Sequence, residues 1–231
     1  LSTKNDRIGH ADERNCEQML GAIGIPVGYA GPLKVKFSDN AIQAVHLPLA
    51  TTEGALVASI NRGCKAIASN GITVRSIHHG MSRSMAITTI KNGREKTLKE
   101  IHKQEKQWRK IGESTSSHLT ILKTKIEASG GYIFITINCD TDEAMGMNMV
   151  SIAAQAIGNW IEENISGTIL ITIAANVDSD KKPSKRTYEE GRGYEVIASA
   201  DIDQKTIEDV LKTTPEAMLK VADAKLKFGS K

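Results

Sequence analysis

The chain has 231 residues, 40% of them hydrophobic and 25% charged, the balance of a globular protein with a core rather than of a disordered or fibrous one. Aromatic residues make up only 4% and the net charge is +3, which argues against stacked nucleic-acid bases or a polyanion as partner and leaves room for a local basic cluster beside a phosphorylated small molecule. Cys16, Cys64 and Cys139 are an odd set without CxxC spacing and no apolar run approaches the ~18 residues of a membrane span, so the chain reads as cytoplasmic, without disulfides, metal or a membrane partner.

Residues 1–48 carry Gly21, Gly24, Pro26, Gly28, Gly31 and Pro32, which predict an irregular packed segment feeding a strand over 33–37. A helix over 52–69 follows, with Thr51 or Thr52 as cap. Its Leu56, Ile60, Cys64 and Ile67 recur at helical spacing, and Asn70-Gly71 is its stop. Then come a strand over 85–91, a turn at Asn92-Gly93 and a charged helix over 95–111, expected to be solvated on most sides. A strand over 118–127, a turn at Ser129-Gly130-Gly131 and a strand over 132–139 come next. A helix over 143–163, with Met149, Ala153, Ile157 and Trp160 on one stripe, is the expected core helix, and a strand over 168–175 closes the series. That order is βαββαβ, the ferredoxin-like arrangement. A polar loop over 178–190, a strand over 194–202 and a helix over 204–224 complete the chain. The expected fold class is α+β: a small ferredoxin-like domain at 84–173 inserted into a larger mixed α/β domain built from 1–83 and 174–231.

Four constellations carry chemistry. In Pro48-Leu49-Ala50-Thr51-Thr52-Glu53-Gly54, the Glu is either a first-turn acid stabilised by the helix dipole or a buried general acid whose proton is held by desolvation. Asp180-Lys181-Lys182-Pro183 is either a solvated turn or the source of an ammonium group that stabilises an oxyanion, with Asn176 four residues earlier as a neutral donor. Glu143-Ala144-Met145-Gly146-Met147-Asn148-Met149 opens the core helix, where Gly146 admits a ligand to the backbone and the helix N-terminus faces a phosphate; read blandly, it is a Met-rich core stripe. In Gly80-Met81-Ser82-Arg83, the Arg either pins a hinge or clamps a carboxylate. His78 and His79 read as surface or packing residues, and no third ligand is spaced to make a metal site with them.

Taken in order, these segments resemble the catalytic region of class I hydroxymethylglutaryl-coenzyme A reductases, archaeal forms in particular. Ile25 to Leu33, Ala50 to Gly54 with Val57-Ala58-Ser59, Asn61-Arg62-Gly63-Cys64 and Glu190-Gly191-Arg192-Gly193 extend the match over nearly the whole chain. The resemblance implies reduction of the thioester of hydroxymethylglutaryl-coenzyme A (HMG-CoA) to mevalonate with two hydrides from NADPH and release of coenzyme A. It further implies that Lys181 stabilises the oxyanion and Glu53 donates a proton, that Arg83, Asp180 and Lys182 hold the acyl part, and that Ser59 and Arg62 lie along coenzyme A. Glu143, Met145, Gly146, Met147 and Asn148 would hold the nicotinamide coenzyme, with Ser116 and Ser117 in the run that in relatives ends with an Arg on the 2′-phosphate. NADH is the alternative coenzyme because Ser117 carries no charge. Glu143 stands where relatives carry Asp, and Ala174-Ala175 where they carry Ser-Gly. The family's active site forms between subunits of a dimer, and Glu17-Gln18-Met19-Leu20-Gly21 resembles its dimer motif. A catalytic Asp and a His of the family fall beyond Lys231, so the 231 residues are read as a C-terminally incomplete form, inactive alone, and a non-catalytic coenzyme A or dinucleotide binder is the alternative function.

Overall fold

The computed structural model describes residues 9–14, 16–90 and 93–228. The elements in chain order are α1 (Ala11–Arg14), β1 (Val27–Lys36), β2 (Ile42–Ala50), α2 (Leu56–Ala66), β3 (Ile72–Thr89), α3 (Arg94–Lys103), α4 (Glu105–Glu113), β4 (Thr120–Ser129), β5 (Tyr132–Asp140), α5 (Met147–Asn164), β6 (Thr168–Thr172), α6 (Lys185–Glu190), β7 (Gly193–Ser199), α7 (Gln204–Thr206), a π-helical turn (Ile207–Leu211) and α8 (Pro215–Phe228). They form two compact units, one of Leu1–Arg75 with Ile197–Lys231 and the other of Ser76–Val196. The second unit is longer than the expected 84–173 insertion because α6 and Gly191-Arg192 stay with its sheet.

In the first unit β1 pairs antiparallel with β2 from Val27↔Ala50 to Lys36↔Ile42, and parallel with the first residues of β3 at Val35↔Ile72. The Gly- and Pro-rich segment is therefore strand from Val27 onward, earlier than the expected 33–37, and β2 is an addition to the sequence reading. Pro48 argues against a strand in the sequence, yet β2 is an edge strand, where a missing N–H costs no ladder bond. Helix α2 packs on β1 and starts at Leu56, after Ala55 takes φ +64 without a side-chain cap. Neither Thr51 nor Thr52 caps it: the Thr51 hydroxyl instead accepts the Glu53 N–H at 2.9 Å, folding 51–53 into a turn ahead of the helix. The expected stop holds, since Gly71 sits at φ +74 and its N–H bonds Ile67 O at 2.7 Å. The expected helix over 204–224 breaks where Lys212 turns left-handed (φ +57), and Pro215 opens α8 as a new helix.

The second unit is a sheet in the order β6-β3-β5-β4 with every neighbour antiparallel: Ala86↔Thr172 to Thr89↔Thr168, Met81↔Cys139 to Thr88↔Tyr132, and Ser129↔Tyr132 to Thr120↔Asp140. β7 adds to β3 as well. Alternation along β5 explains the layering. Ile133, Ile135, Ile137 and Cys139 are at most 1% exposed and join Val150, Ala153, Ala154, Ile157 and Ile161 of α5 in one core. The charged helix departs from expectation twice. It divides at Gln104 into α3 and α4, and it buries Ile101 and Trp108 completely, with the Trp108 indole N–H donating to Ile101 O at 3.0 Å. One buried aromatic and one Ile among many Lys and Glu give little periodicity to read. Asn92 of the expected turn lies outside the described residues.

Candidate functional site

The site is built on the interior of β3, at residues 82–84, and on the loop after β6, both in the second unit. Ala175 N–H bonds Ser84 O at 2.8 Å, which ties the start of the loop to β3. Its far end is tied by α6. The Ser184 hydroxyl accepts the Thr187 N–H at 3.0 Å as N-cap. Arg186 donates to Glu127 of β4 at 2.5 Å, and Lys125 of β4 donates to Glu190 at 2.6 Å. The Arg186 bond holds the Glu127 carboxyl below its usual range.

Between these anchors the backbone is left-handed at three residues other than glycine: Asn176 (φ +64), Ser179 (φ +51) and Lys181 (φ +56). Such conformations cost about 1–3 kcal/mol each and persist only where surrounding contacts impose them. The contacts are charged. Arg83 Nη1 lies 3.5 Å from Asp180 Oδ2 and 3.9 Å from Asp178 Oδ2. Arg192 Nη2 donates to Asp180 Oδ1 at 3.0 Å while its Nε donates to the Ser82 hydroxyl at 2.9 Å. Arg192 Nη2 also meets the Met147 sulfur at 3.1 Å, at the first residue of α5. One guanidinium thus links the acid loop, β3 and the head of the core helix.

Sequence reading singled out Arg83 and Asp180, and the structure brings them together. Lys181 and Lys182 follow on the same loop with exposed side chains, as does Asn176 ahead of it. Asp178 and the role of Arg192 were missed. Asp178 read as the first residue of a polar loop, yet its side chain is 1% exposed, and burial pushes its carboxyl up against the opposing pull of Arg83 and Arg192.

The second constellation surrounds the start of α5. Gly146 is its N-cap at φ +77, and a Cβ there would stand 2.3 Å from the Thr141 hydroxyl oxygen, so only glycine fits. The helix begins four residues later than expected because of this turn. Its first turn has neither a side-chain cap nor an acidic residue, so no side chain caps its free backbone N–H groups. Met147 is buried, whereas Glu143, Met145 and Asn148 are exposed around it. Ser116 accepts the His118 N–H at 3.1 Å, and the His118 ring meets Asp142 at 2.7 Å, so the Ser116-Ser117 run is held beside the Glu143–Asn148 segment.

In the first unit Glu53 is exposed in the turn before α2, ahead of the first helical turn where the sequence reading placed it. Ser59 and Arg62 lie three residues apart on α2, both exposed. His78 stacks on Tyr194 with centroids 4.3 Å apart, and His79 Nε2 is 2.7 Å from Glu195, so both serve packing between β3 and β7. Among the described residues no group of three or more His, Cys, Asp or Glu is arranged to hold a metal, and no helix is long and apolar enough to cross a membrane.

The family model for hydroxymethylglutaryl-coenzyme A reductase matches residues 1–231. A 3-hydroxy-3-methylglutaryl-coenzyme A reductase of Methanothermobacter thermautotrophicus is 38% identical over 95% of this chain and 56% of its own length. One of Pyrococcus abyssi is 35% identical over 98% of this chain and 55% of its own. In fold, the chain is similar to the class II 3-hydroxy-3-methylglutaryl-CoA reductase of Streptococcus pneumoniae bound to NADPH, with TM-score 0.69 at 19% identity over 94% of this chain and 50% of that one. The chain spans little more than half the length of the curated relatives it matches. It belongs to the hydroxymethylglutaryl-coenzyme A reductase family.

Proposed function

We propose that this chain supplies much of the active site of an enzyme that reduces HMG-CoA to mevalonate and coenzyme A with NAD(P)H. The carrying observation is the cluster of Arg83, Asp180 and Arg192, which sits on the loop bearing Lys181 and touches Met147 at the head of α5. Arg83 and Lys182 bind the acyl carboxylate, and Asp180 orients Arg83. Lys181 stabilises the oxyanion that forms as the carbonyl is reduced, an interaction stronger in the transition state than in the ground state. Glu53 supplies a proton to the reduced oxygen. Ser59 and Arg62 lie along coenzyme A.

The open N-terminus of α5 and the tight Gly146 turn fit a dinucleotide phosphate. Glu143, Met145, Asn148, Ser116 and Ser117 surround that position. When bound, NADPH supplies the hydride. The strand order of the second unit supports reading it as a ferredoxin-like coenzyme domain inserted into the substrate domain. Exposed Leu20 and Ile23, at 80% and 75%, support a dimer contact at Glu17–Gly21, with the active site shared between subunits in the cytoplasm.

The test is HMG-CoA-dependent oxidation of NADPH by the full-length polypeptide carrying this chain. Lys181→Ala is expected to lower turnover by about 100-fold or more at an unchanged melting temperature. A Lys181→Ala protein as active as the parent would overturn the reading.

A further inference from the structure

Among the described residues, two buried side-chain polar atoms have no hydrogen-bond partner, Arg83 Nε and Asp178 Oδ2, and they belong to side chains that face each other. Their separation of 3.9 Å from Arg83 Nη1 to Asp178 Oδ2 is an ion pair without a hydrogen bond, at side-chain exposures of 17% and 1%. Groups buried so incompletely satisfied are uncommon in native proteins. Three charged groups act electrostatically on Asp178: Arg83 from β3, Arg192 from the segment before β7 and Asp180 from its own loop. With both carboxylates ionised the four charges cancel. With Asp178 protonated, one positive charge remains on the cluster, beside the guanidinium that is only 3.5 Å from Asp180.

We propose that Asp178 is a positioning residue that sets the pH range in which Arg83 accepts a ligand carboxylate. Protonated, Asp178 leaves the Arg83 charge available to an anion; ionised, it cancels that charge and adds its own repulsion. Asp178 acts through Arg83, since its buried oxygen is out of reach of a ligand. The proposal rests on the reading of Arg83 as the acyl-carboxylate clamp. Burial is the largest influence on Asp178 and favours its neutral form, so its titration falls above the ordinary Asp range.

The experiment titrates 3-hydroxy-3-methylglutarate into the full-length polypeptide by calorimetry at several pH values between about 4 and 8, a range that spans ordinary and raised carboxyl titration. The parent is expected to lose affinity by about fivefold or more as pH rises through the Asp178 titration, a usual size for coupling between two sites. Asp178→Asn is expected to show no loss over that interval. Parallel pH profiles for the two proteins would overturn the role of Asp178 and leave the clamp intact. No binding by either protein at any pH would overturn the clamp reading and this inference with it. A carbon-13 titration of the Asp178 carboxyl in the parent checks the same coupling without a mutation. Saturating ligand must move that titration to higher pH by linkage, and an unmoved titration overturns the proposal.

Discussion

The unit at Ser76–Val196 closes a core on its own residues, with Trp108, Ile101, Ile135, Ile137, Val150, Ile157 and Ile161 all 0% exposed. Among the described residues of the unit formed by Leu1–Arg75 and Ile197–Lys231, the fully or nearly fully buried apolar residues are few, Ala30, Val35, Cys64, Ala66 and Ile207. Leu20, Val27, Leu219 and Leu226 stand 68–80% exposed there. The difference is one of sequence as much as of packing. The second unit draws alternating Ile from β5 and a helical stripe from α5 within a short stretch of chain, whereas the first joins two distant segments of a chain that spans little more than half the length of its curated relatives. The charged cluster lies in the unit with the complete core, where a rigid scaffold can hold three left-handed residues in place.

The largest effect that would sharpen this contrast is at Trp108. Trp108→Ala should cost about 3–5 kcal/mol in denaturant unfolding of the second unit, by loss of apolar burial and an unfilled cavity. Leu219→Ala, on the exposed face of α8, should stay within about 0.5 kcal/mol. Equal effects would mean that the cores do not differ. Next is Gly146→Ala. A Cβ at that position meets Thr141 at 2.3 Å, and alanine disfavours φ +77, so NADPH affinity should fall at least tenfold at an unchanged α-helical content. An unaltered dissociation constant in fluorescence titration would break the link between that turn and the coenzyme.

Two carboxylates of the second unit should give opposite pH dependences of stability. The Asp178 carboxyl is raised above 3.8 in the folded state by burial. Its contribution is therefore fully present below the unfolded value and is lost as pH rises through the folded one. Glu127 is lowered below 4.5 by the bond from Arg186, so its contribution is present above the unfolded value and is lost as pH falls. Asp178→Asn should thus gain stability relative to the parent as pH rises, and Glu127→Gln should lose it. Melting temperatures against pH with slopes of the same sign would refute one assignment. The smallest effect is chemical. Burial pushes the Cys139 thiol up to about 12, so it should resist iodoacetamide in the native protein, while exposed Cys16 reacts at once. Cys64, buried in the first unit, should label between the two if that unit opens more readily.

Elements with a strong period were legible in the chain. β4, β5, α5 and β6 follow from alternating Ile, a Gly-Gly turn and an apolar helical stripe, and their boundaries differ from the sequence reading by a few residues. What escaped depends on context that lies outside the local pattern. Pro48 hides β2 because edge position cannot be seen in a single strand. Trp108 is hidden by the Lys and Glu around it, and the 72–84 part of β3 by its His, Arg, Ser and Gly residues. Arg83 and Asp180, singled out from motif order, lie 3.5 Å apart, and the structure adds Arg192 as a second partner of Asp180. Asp178 was not legible, since a carboxylate in a polar loop shows its burial only once the loop folds back on β3.

The most direct test of the central claim, that the second unit is the stable body that receives the coenzyme, is amide hydrogen exchange of this chain with and without NADPH. The account predicts that NADPH slows exchange at 141–150 and 114–118 and leaves α2 at 56–66 unchanged. Unaltered exchange throughout, or protection confined to the first unit, would contradict it.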